Sequence, residues 1–400
     1  MAGLYLHVPF CKSRCAYCAF YSQTNTRQQE AFVTALCREL ELRREELAPS
    51  IPIETVYFGG GTPSLLSPSQ LEKIVDTIRS VYSPVPDAEW TLEGNPDDII
   101  PEYAHALRLL GFNRVSLGVQ SFCDEELRFL GRRHTARQVY SAIEALRTAD
   151  FFNISIDLIY SLPGQSHQLW QQNLSSALVL EIPHISAYNL TYEEHTRLAH
   201  LARRGSIEKQ SDEDALRDYY YLVDTLYERG YDHYELSNFA FRGMHSRHNS
   251  SYWDRVPYLG FGPSAHSYLP ESRYANVAHL HRYIEYLQQG TTAIDFRENL
   301  SPTDCFNETI MTGLRRAKGV DLQNVPEVFG REKLSFLQTA SEPYLAQGLL
   351  ILDSTSQYSI EAPSPSICKE RVANEGQFLR ASREGMVVID SIISDLFLLQ

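Results

Sequence analysis

The sequence predicts an α/β protein: an open (β/α)6 three-quarter barrel followed by a small C-terminal winged-helix-like α+β domain. Three observations carry that reading. Six strand-like segments alternate with helical patterns over about 190 residues, and strand–helix alternation of this length implies a parallel sheet with right-handed crossovers. Six units are too few to close an eight-stranded barrel, so the sheet stays open; a doubly wound sheet is the alternative that periodicity leaves. The residues with chemistry to offer fall at or just past the C-terminal ends of the strands, where the active sites of barrel-like folds gather.

Leu4–Val8 alternates as a strand and feeds directly into a loop holding Cys11, Cys15 and Cys18. A helix is expected over Glu30–Leu47, then a short apolar strand at Thr55–Phe58 that ends in Gly59-Gly60-Gly61-Thr62-Pro63-Ser64. Ser67-Pro68-Ser69-Gln70 opens the next helix with a capping box and proline at the first helical position. Strands follow at Glu89–Glu93, Arg114–Gly118, Asn153–Ile159 and His184–Leu190, separated by helices near Pro101–Leu110, Asp124–Leu130, Thr135–Thr148 and His167–Val179. After a charged segment at Ser211–Glu228, Tyr231–Asn276 is rich in Tyr, His, Gly and Asn with little helical period, and reads as a loop-rich bridge. Helices at Thr303–Leu314 and Arg331–Gln347, strands at Leu349–Asp353 and Gln357–Ile360, and a last helix at Gly385–Leu399 form the C-terminal module. The expected domains are therefore a core at 1–235, the bridge at 236–300 and the module at 301–400.

A chain of 400 residues that is 43% hydrophobic and 22% charged has ample core. Its formal net charge of −14 argues against nucleic acid as a partner, even with a winged-helix-like module. The N-terminus has no basic flank and no long apolar run, and no stretch reaches membrane-spanning length. Peripheral membrane contact stays open. Cys37, Cys123, Cys305 and Cys368 are scattered singly, which fits a reducing cytoplasm.

The cysteine loop has the spacing C-x3-C-x2-C. Thiolates this close can converge on one metal centre, and Cys is the usual protein ligand of iron–sulfur clusters. Three ligands leave one iron of a four-iron cluster open, a place for chemistry. A zinc site completed by His7 and a set of unliganded thiols are the alternatives; a disulfide would leave one of the three unpaired.

With this loop, the first strand and Gly59–Ser64, the chain resembles the radical S-adenosylmethionine (SAM) proteins. Within them it is similar to the branch of oxygen-independent coproporphyrinogen dehydrogenases and HemW-type haem chaperones. Gly118-Val119-Gln120-Ser121-Phe122, Asp157-Leu158-Ile159 with Leu162-Pro163-Gly164, and the C-terminal module occur in family order. The resemblance implies a radical SAM core with a three-quarter TIM-like barrel. In it Cys11, Cys15 and Cys18 hold a [4Fe–4S] cluster, and SAM chelates the open iron. It further implies that Gly60, Gly61 and Thr62 approach the SAM amino group and that Glu93 accepts from its ammonium or ribose. Gln120 and Asp157 would bond the adenosyl part, Arg132 would offer a fork to a carboxylate, and Tyr5 and Tyr17 would pack beside the site. An ordinary surface ion pair is the alternative for Glu93 and Arg132.

Two features separate the branches. The coproporphyrinogen-processing enzymes carry a further cysteine two residues after the third, and here that position is Phe20. HemW-type chaperones carry His-Asn-x-x-Tyr-Trp, and this chain has His248-Asn249-Ser250-Ser251-Tyr252-Trp253. An imidazole at His248 can ligate haem iron, with the aromatics covering a porphyrin face; a packed aromatic cluster with a hydrogen-bonded His is the alternative. Lying beyond the six units, His248 is expected to be separable from the SAM site. Two departures stand out: Ala19 replaces the aspartate common after the third cysteine, and residues 361–382 exceed the family's final hairpin and read as a surface loop. The resemblance thus implies a cytoplasmic haem chaperone with a cluster, SAM and haem, an electron donor, and an acceptor protein for the haem. Rival expectations are oxidative decarboxylation of coproporphyrinogen III, another radical reaction on haem such as methylation linked to ring opening, and a zinc-stabilised binding module.

Overall fold

The computed structural model describes residues 1–354 and 377–399. They group into two compact units: Met1–Asp218 with Ser246–Ser251 and Val256–Glu298, and Tyr219–His245 with Tyr252–Arg255 and the described residues from Asn299 onward.

In the first unit six parallel strands lie side by side in chain order: β1 (Ala2–Val8), β2 (Ile53–Gly60), β3 (Glu89–Gly94), β4 (Arg114–Gln120), β5 (Asn153–Tyr160) and β6 (His184–Asn189). Between them run α1 (Gln29–Leu42), α2 (Pro68–Tyr82), α3 (Pro101–Leu110), α4 (Asp124–Leu130), α5 (Ala136–Thr148) and α6 (His167–Val179). The capping box expected at Ser67 is present, with Gln70 N donating to Ser67 Oγ and Ser67 N to Gln70 Oε1. The sheet does not close on itself.

Because successive strand residues point to opposite faces, the sheet has two chemistries. One face is apolar and buried: Leu4, Leu6 and Val8, then Val56 and Phe58, Trp90 and Leu92, Val115 and Leu117, Ile156 and Leu158. It packs under the helices, with Arg79 of α2 5.5 Å from the Trp90 ring centroid. The other face is polar: Tyr5 and His7, Thr55 and Tyr57, Glu89, Thr91 and Glu93, Arg114 and Ser116, Ser155 and Asp157, His184 and Ser186. Buried charges need compensation, and the buried Arg114 serves Glu93 and Asp157 in common, drawing both carboxyls down.

The stretch expected as a loop-rich bridge is mostly regular structure. Tyr258–Phe261 adds to the sheet as a parallel neighbour of β1, and His266–Leu269, Ser272–Asn276 and Ile294–Asn299 continue it. These strands of four to six residues are interrupted by Gly, Pro and Asn, which hides their alternation. A buried pair, Glu39 on α1 and Arg43 just past its end, secures the extension. Arg43 donates to Glu39, to Gly260 O (2.6 Å), Ser267 Oγ (3.0 Å) and Tyr274 Oη (3.1 Å), while Glu39 accepts from Gly262 N (2.8 Å), Asn276 Nδ2 (2.7 Å) and Tyr283 Oη (2.7 Å). The charged segment before it is the helix Asp212–Glu228. Helix α1 ends at Leu42 and a short 3-10 turn, Arg44–Glu46, takes up the remainder of the span expected for it.

The second unit has its own core, including Phe306, Ile310, Leu314, Leu337, Leu350, Leu379 and Ile392. Helices Pro302–Leu314 and Arg331–Ala346 pack with a three-stranded antiparallel sheet in the order Val320–Asp321, Phe378–Ala381, Leu350–Asp353. The expected strand Gln357–Ile360 and Cys368 lie outside the described residues. The partner of Leu350–Asp353 is instead Phe378–Ala381, so 378–381, expected within a surface loop, is a strand with every residue buried. The last helix is two short ones, Arg383–Val387 and Ile389–Asp395. Among the described residues no helix is long and apolar enough to cross a membrane.

Candidate functional site

The cysteine loop leaves β1 and is tied down at several points. Cys11 N donates to Gln23 O (3.0 Å) and Gln23 N to Pro9 O (2.8 Å). Arg14 Nη2 donates to Ser22 O (2.6 Å), and Ala16 N to Leu130 O (2.9 Å) at the end of α4. Lys12 reaches Asp98 (2.8 Å), whose other oxygen accepts from Ser64 and Arg133, both at 3.0 Å. So held, Cys11, Cys15 and Cys18 face one cavity of ≈ 560 Å³ at the C-terminal ends of the strands.

The glycine loop forms the next wall. Gly60 has φ +107°, a conformation side chains rarely adopt. At Gly61 an added Cβ would lie 2.7 Å from Phe10 O and 2.8 Å from Val8 O, so only glycine lets the end of β2 come this close to the chain entering Cys11. Thr62 Oγ1 lies 3.6 Å from Cys11 Sγ. At the end of β4 the register shifts between Leu117 and Gln120, and Gln120 takes φ +67°. That bulge turns Gln120 into the cavity. A buried network holds the turn: Ser121 Oγ donates to Glu126, which also accepts from Asn173 and Gln165, each at 2.8 Å.

Glu93 accepts from Tyr57 Oη (2.8 Å) and Gly60 N (3.2 Å). Burial, reinforced by the Asp157 charge, pushes its carboxyl up to about 7 against those two bonds. Burial likewise raises Asp157 to about 6, while a hydrogen bond from Ser186 and the Arg114 and Arg132 charges draw it down. Arg132 donates to Cys15 Sγ (3.4 Å), Asn95 Oδ1 and Gly118 O, and its Nε is buried without a hydrogen-bond partner. Glu93 and Arg132 are thus half-buried groups with separate partners, not a surface ion pair. Burial raises the Cys18 thiol, with Cys15 and Cys11 adding to the effect.

The donor set fits a four-iron cluster with a ligand beside it better than one zinc ion. The three thiols share a cavity with room for both, whereas among the described residues no three His, Cys, Asp or Glu side chains close on one point as a single ion needs. His7 is no fourth ligand: Nε2 lies 2.8 Å from Tyr21 O and Nδ1 3.0 Å from Tyr5 Oη.

Of the residues expected here, Cys11, Cys15, Cys18, Tyr17, Gly60, Gly61, Thr62, Glu93, Gln120, Arg132 and Asp157 line the cavity. Tyr5 does not; it lies one layer deeper, stacked on Tyr57 at 6.2 Å. His248 also lies outside the cavity, and its expected separation from this region is corrected. It is 1% exposed, stacked on Tyr57 at 4.8 Å and 19°, with Nδ1 2.7 Å from Thr55 Oγ1. Burial lowers the imidazole to about 3, so it is neutral. This is the packed, hydrogen-bonded arrangement, reached because Glu89 accepts the Arg247 and His248 amides (3.1 and 3.0 Å) and draws the helix Arg247–Trp253 against β3. Sequence reasoning missed Tyr57, Asn95 and Asp98. Asn95 was open to detection, since it directly follows the β3 strand end; Tyr57 carried no mark beyond strand alternation.

A family profile described as the radical SAM superfamily matches residues 5–174, and one described as the HemN C-terminal domain matches 300–356. The chain is similar to heme chaperone HemW of Lactococcus lactis subsp. lactis, 37% identical over 81% of this chain and 84% of that protein. It is 32% identical to heme chaperone HemW of Bacillus subtilis over 90% of this chain and 95% of the relative. HemW of Mycobacterium tuberculosis is 36% identical over 87% and 88%. Among solved structures, coproporphyrinogen III oxidase (HemN) from Escherichia coli, a radical SAM enzyme, superposes with a TM-score of 0.81 at 22% identity. The match covers 99% of this chain and 90% of that one, and shows the fold.

Proposed function

We propose that this chain, which belongs to the HemW family of radical SAM proteins, is a haem chaperone that binds haem and passes it to an acceptor protein. Cys11, Cys15 and Cys18 would hold a [4Fe–4S] cluster, and the neighbouring cavity would hold SAM. When bound, such a cluster supplies an electron to the SAM sulfonium. The chain's own residues do the placing. Gly60 and Gly61, which line the cavity, would present backbone groups to the SAM amino group, and Glu93 would offer acceptor oxygens to a cation. Arg132 keeps positive charge beside Cys15, and Gln120 and Asp157 offer hydrogen bonds to the adenosyl part. A cytoplasmic site of action and an electron donor for the cluster complete the reading.

Family membership over most of the chain carries the chaperone reading. Phe20 separates it from oxidative decarboxylation. The position where that branch carries a cysteine here holds a phenyl ring, 71% exposed at the cavity mouth. The test is anaerobic reconstitution followed by separate haem titration, SAM binding and coproporphyrinogen III conversion with a reductant. About one haem per chain and no protoporphyrinogen IX are expected; robust decarboxylation would overturn the reading, whatever haem is bound. Among histidines near the family motif, His266 is exposed, so loss of haem binding in His266→Ala with the cluster intact would identify it as the iron ligand.

A further inference from the structure

We infer that His248, with its stacking partner Tyr57, is a positioning pair for the SAM site, acting through the carboxylate of Glu93. The inference rests on the reading that Glu93 contacts SAM. It gives this histidine, expected to ligate haem iron, a role beneath the SAM site instead.

The chain of contacts is short and wholly within the first unit. His248 lies almost parallel on Tyr57 and is pinned from two sides, by Thr55 Oγ1 at its Nδ1 and by Glu89 at its backbone amide. Tyr57 has its other neighbour in Tyr5, and its hydroxyl donates to Glu93 Oε1 at 2.8 Å. Gly3 and Gly59 show how tightly the layer is packed. An added Cβ at Gly3 would lie 2.7 Å from Thr55 Oγ1 and 3.4 Å from the His248 ring; one at Gly59 would lie 2.9 Å from Tyr57 and 3.1 Å from Glu93 Oε1. A side chain in such a layer cannot move without moving its neighbour, because close-packed interiors transmit displacement. Without the imidazole, the Tyr57 ring would have a cavity on one face, and its hydroxyl would lose the alignment that holds Glu93. The groups facing Glu93 are Tyr57 on β2, Tyr5 on β1, Arg114 on β4 and Asp157 on β5; His248 reaches it through Tyr57, its nearer ring at 4.8 Å, and also stacks on Tyr5 at 6.5 Å.

His248→Phe keeps the ring and drops the bond to Thr55, whereas His248→Gln keeps a polar group and drops the ring. Both, with His248→Ala, Tyr57→Phe and the double variant His248→Ala/Tyr57→Phe, are reconstituted with cluster and titrated separately with SAM and haem. Cluster absorbance serves as the control for folding. His248→Ala and His248→Gln should weaken SAM binding by roughly fivefold to twentyfold, part of the loss expected for a whole charge-assisted hydrogen bond. His248→Phe should restore SAM binding to near wild type and leave haem binding unchanged. The double variant should bind SAM about as weakly as Tyr57→Phe alone, since both changes break one path. SAM affinity unchanged in every His248 variant, or haem binding lost in His248→Phe while SAM binding persists, would overturn the inference alone. Wild-type protein that holds its cluster and still fails to bind SAM would overturn both the inference and the reading beneath it. Should His248→Ala lose its cluster, His248→Phe against Tyr57→Phe decides the matter: the first near wild type and the second weakened supports the pair, and the reverse refutes it.

Discussion

Glu93→Gln should make the protein more stable relative to wild type as pH rises, while weakening SAM binding. In the folded protein without SAM the carboxyl sits at about 7 against an ordinary 4.5, chiefly because it is buried. Between those values the native state holds a proton that the unfolded chain has released. Stability therefore falls as pH rises from about 4.5 to 7 and is level above. The span is worth about 3 kcal/mol, because each tenfold change in proton affinity is about 1.4 kcal/mol. Glutamine cannot ionise, so this dependence disappears in the variant. The slope with pH, not the offset between the proteins, carries the test, since the new amide must share Tyr57 Oη and Gly60 N with its one carbonyl oxygen. The assay is urea unfolding of both proteins, anaerobic and free of SAM, at pH 5, 6, 7 and 8. The wild-type stability should drop relative to Glu93→Gln by about 2.5 kcal/mol across that series, which begins above the unfolded value and so samples most of the span. Over the same range SAM affinity of wild type should rise with pH up to about 7, because a cation needs the ionised acceptor. Glu93→Gln should bind SAM roughly tenfold to a hundredfold more weakly at pH 8. A stability difference that stays flat with pH would refute the claim that Glu93 is held protonated by its surroundings.

Three further outcomes are expected. Serine at Cys11, Cys15 or Cys18 should each abolish the cluster's visible absorbance, while serine at Cys37, Cys123, Cys305 or Cys368 should leave it in place; a dependence on any of the latter four would refute the three-ligand set. Arg132→Lys should fail to restore the SAM affinity lost in Arg132→Ala, because a single ammonium cannot span Cys15, Asn95 and Gly118 together, and equal affinity in calorimetric titration would argue for a point charge alone. Arg43→Met should destabilise by about 3–5 kcal/mol in urea unfolding, because it strands the buried Glu39, whereas Glu39→Gln with Arg43→Met together should cost less than Arg43→Met alone.

Much of the site was legible in the chain because its chemistry is local. The cysteine loop needs three thiols a few residues apart, Gly60 and Gly61 must be glycine where the backbones nearly touch, and Glu93 and Asp157 sit on strands whose alternation was readable. The six strand–helix units were legible for the same reason, each being a periodic run bounded by caps and turns. Tertiary structure decided the rest. The strands from Tyr258 onward are four to six residues long and broken by turn residues, and those at Tyr258–Phe261, His266–Leu269 and Ser272–Asn276 are held because Glu39 of α1 and Arg43 at its end offer buried partners more than two hundred residues away in the chain. Phe378–Ala381 is a strand because Leu350–Asp353 lies ready to pair with it. His248 shows the limit most directly. Its motif was visible, but whether an imidazole faces a ligand or lies beneath a tyrosine depends on which layer of the barrel receives it. Glu89, at the start of β3, brings that helix in by accepting two of its amides, a contact no local pattern encodes.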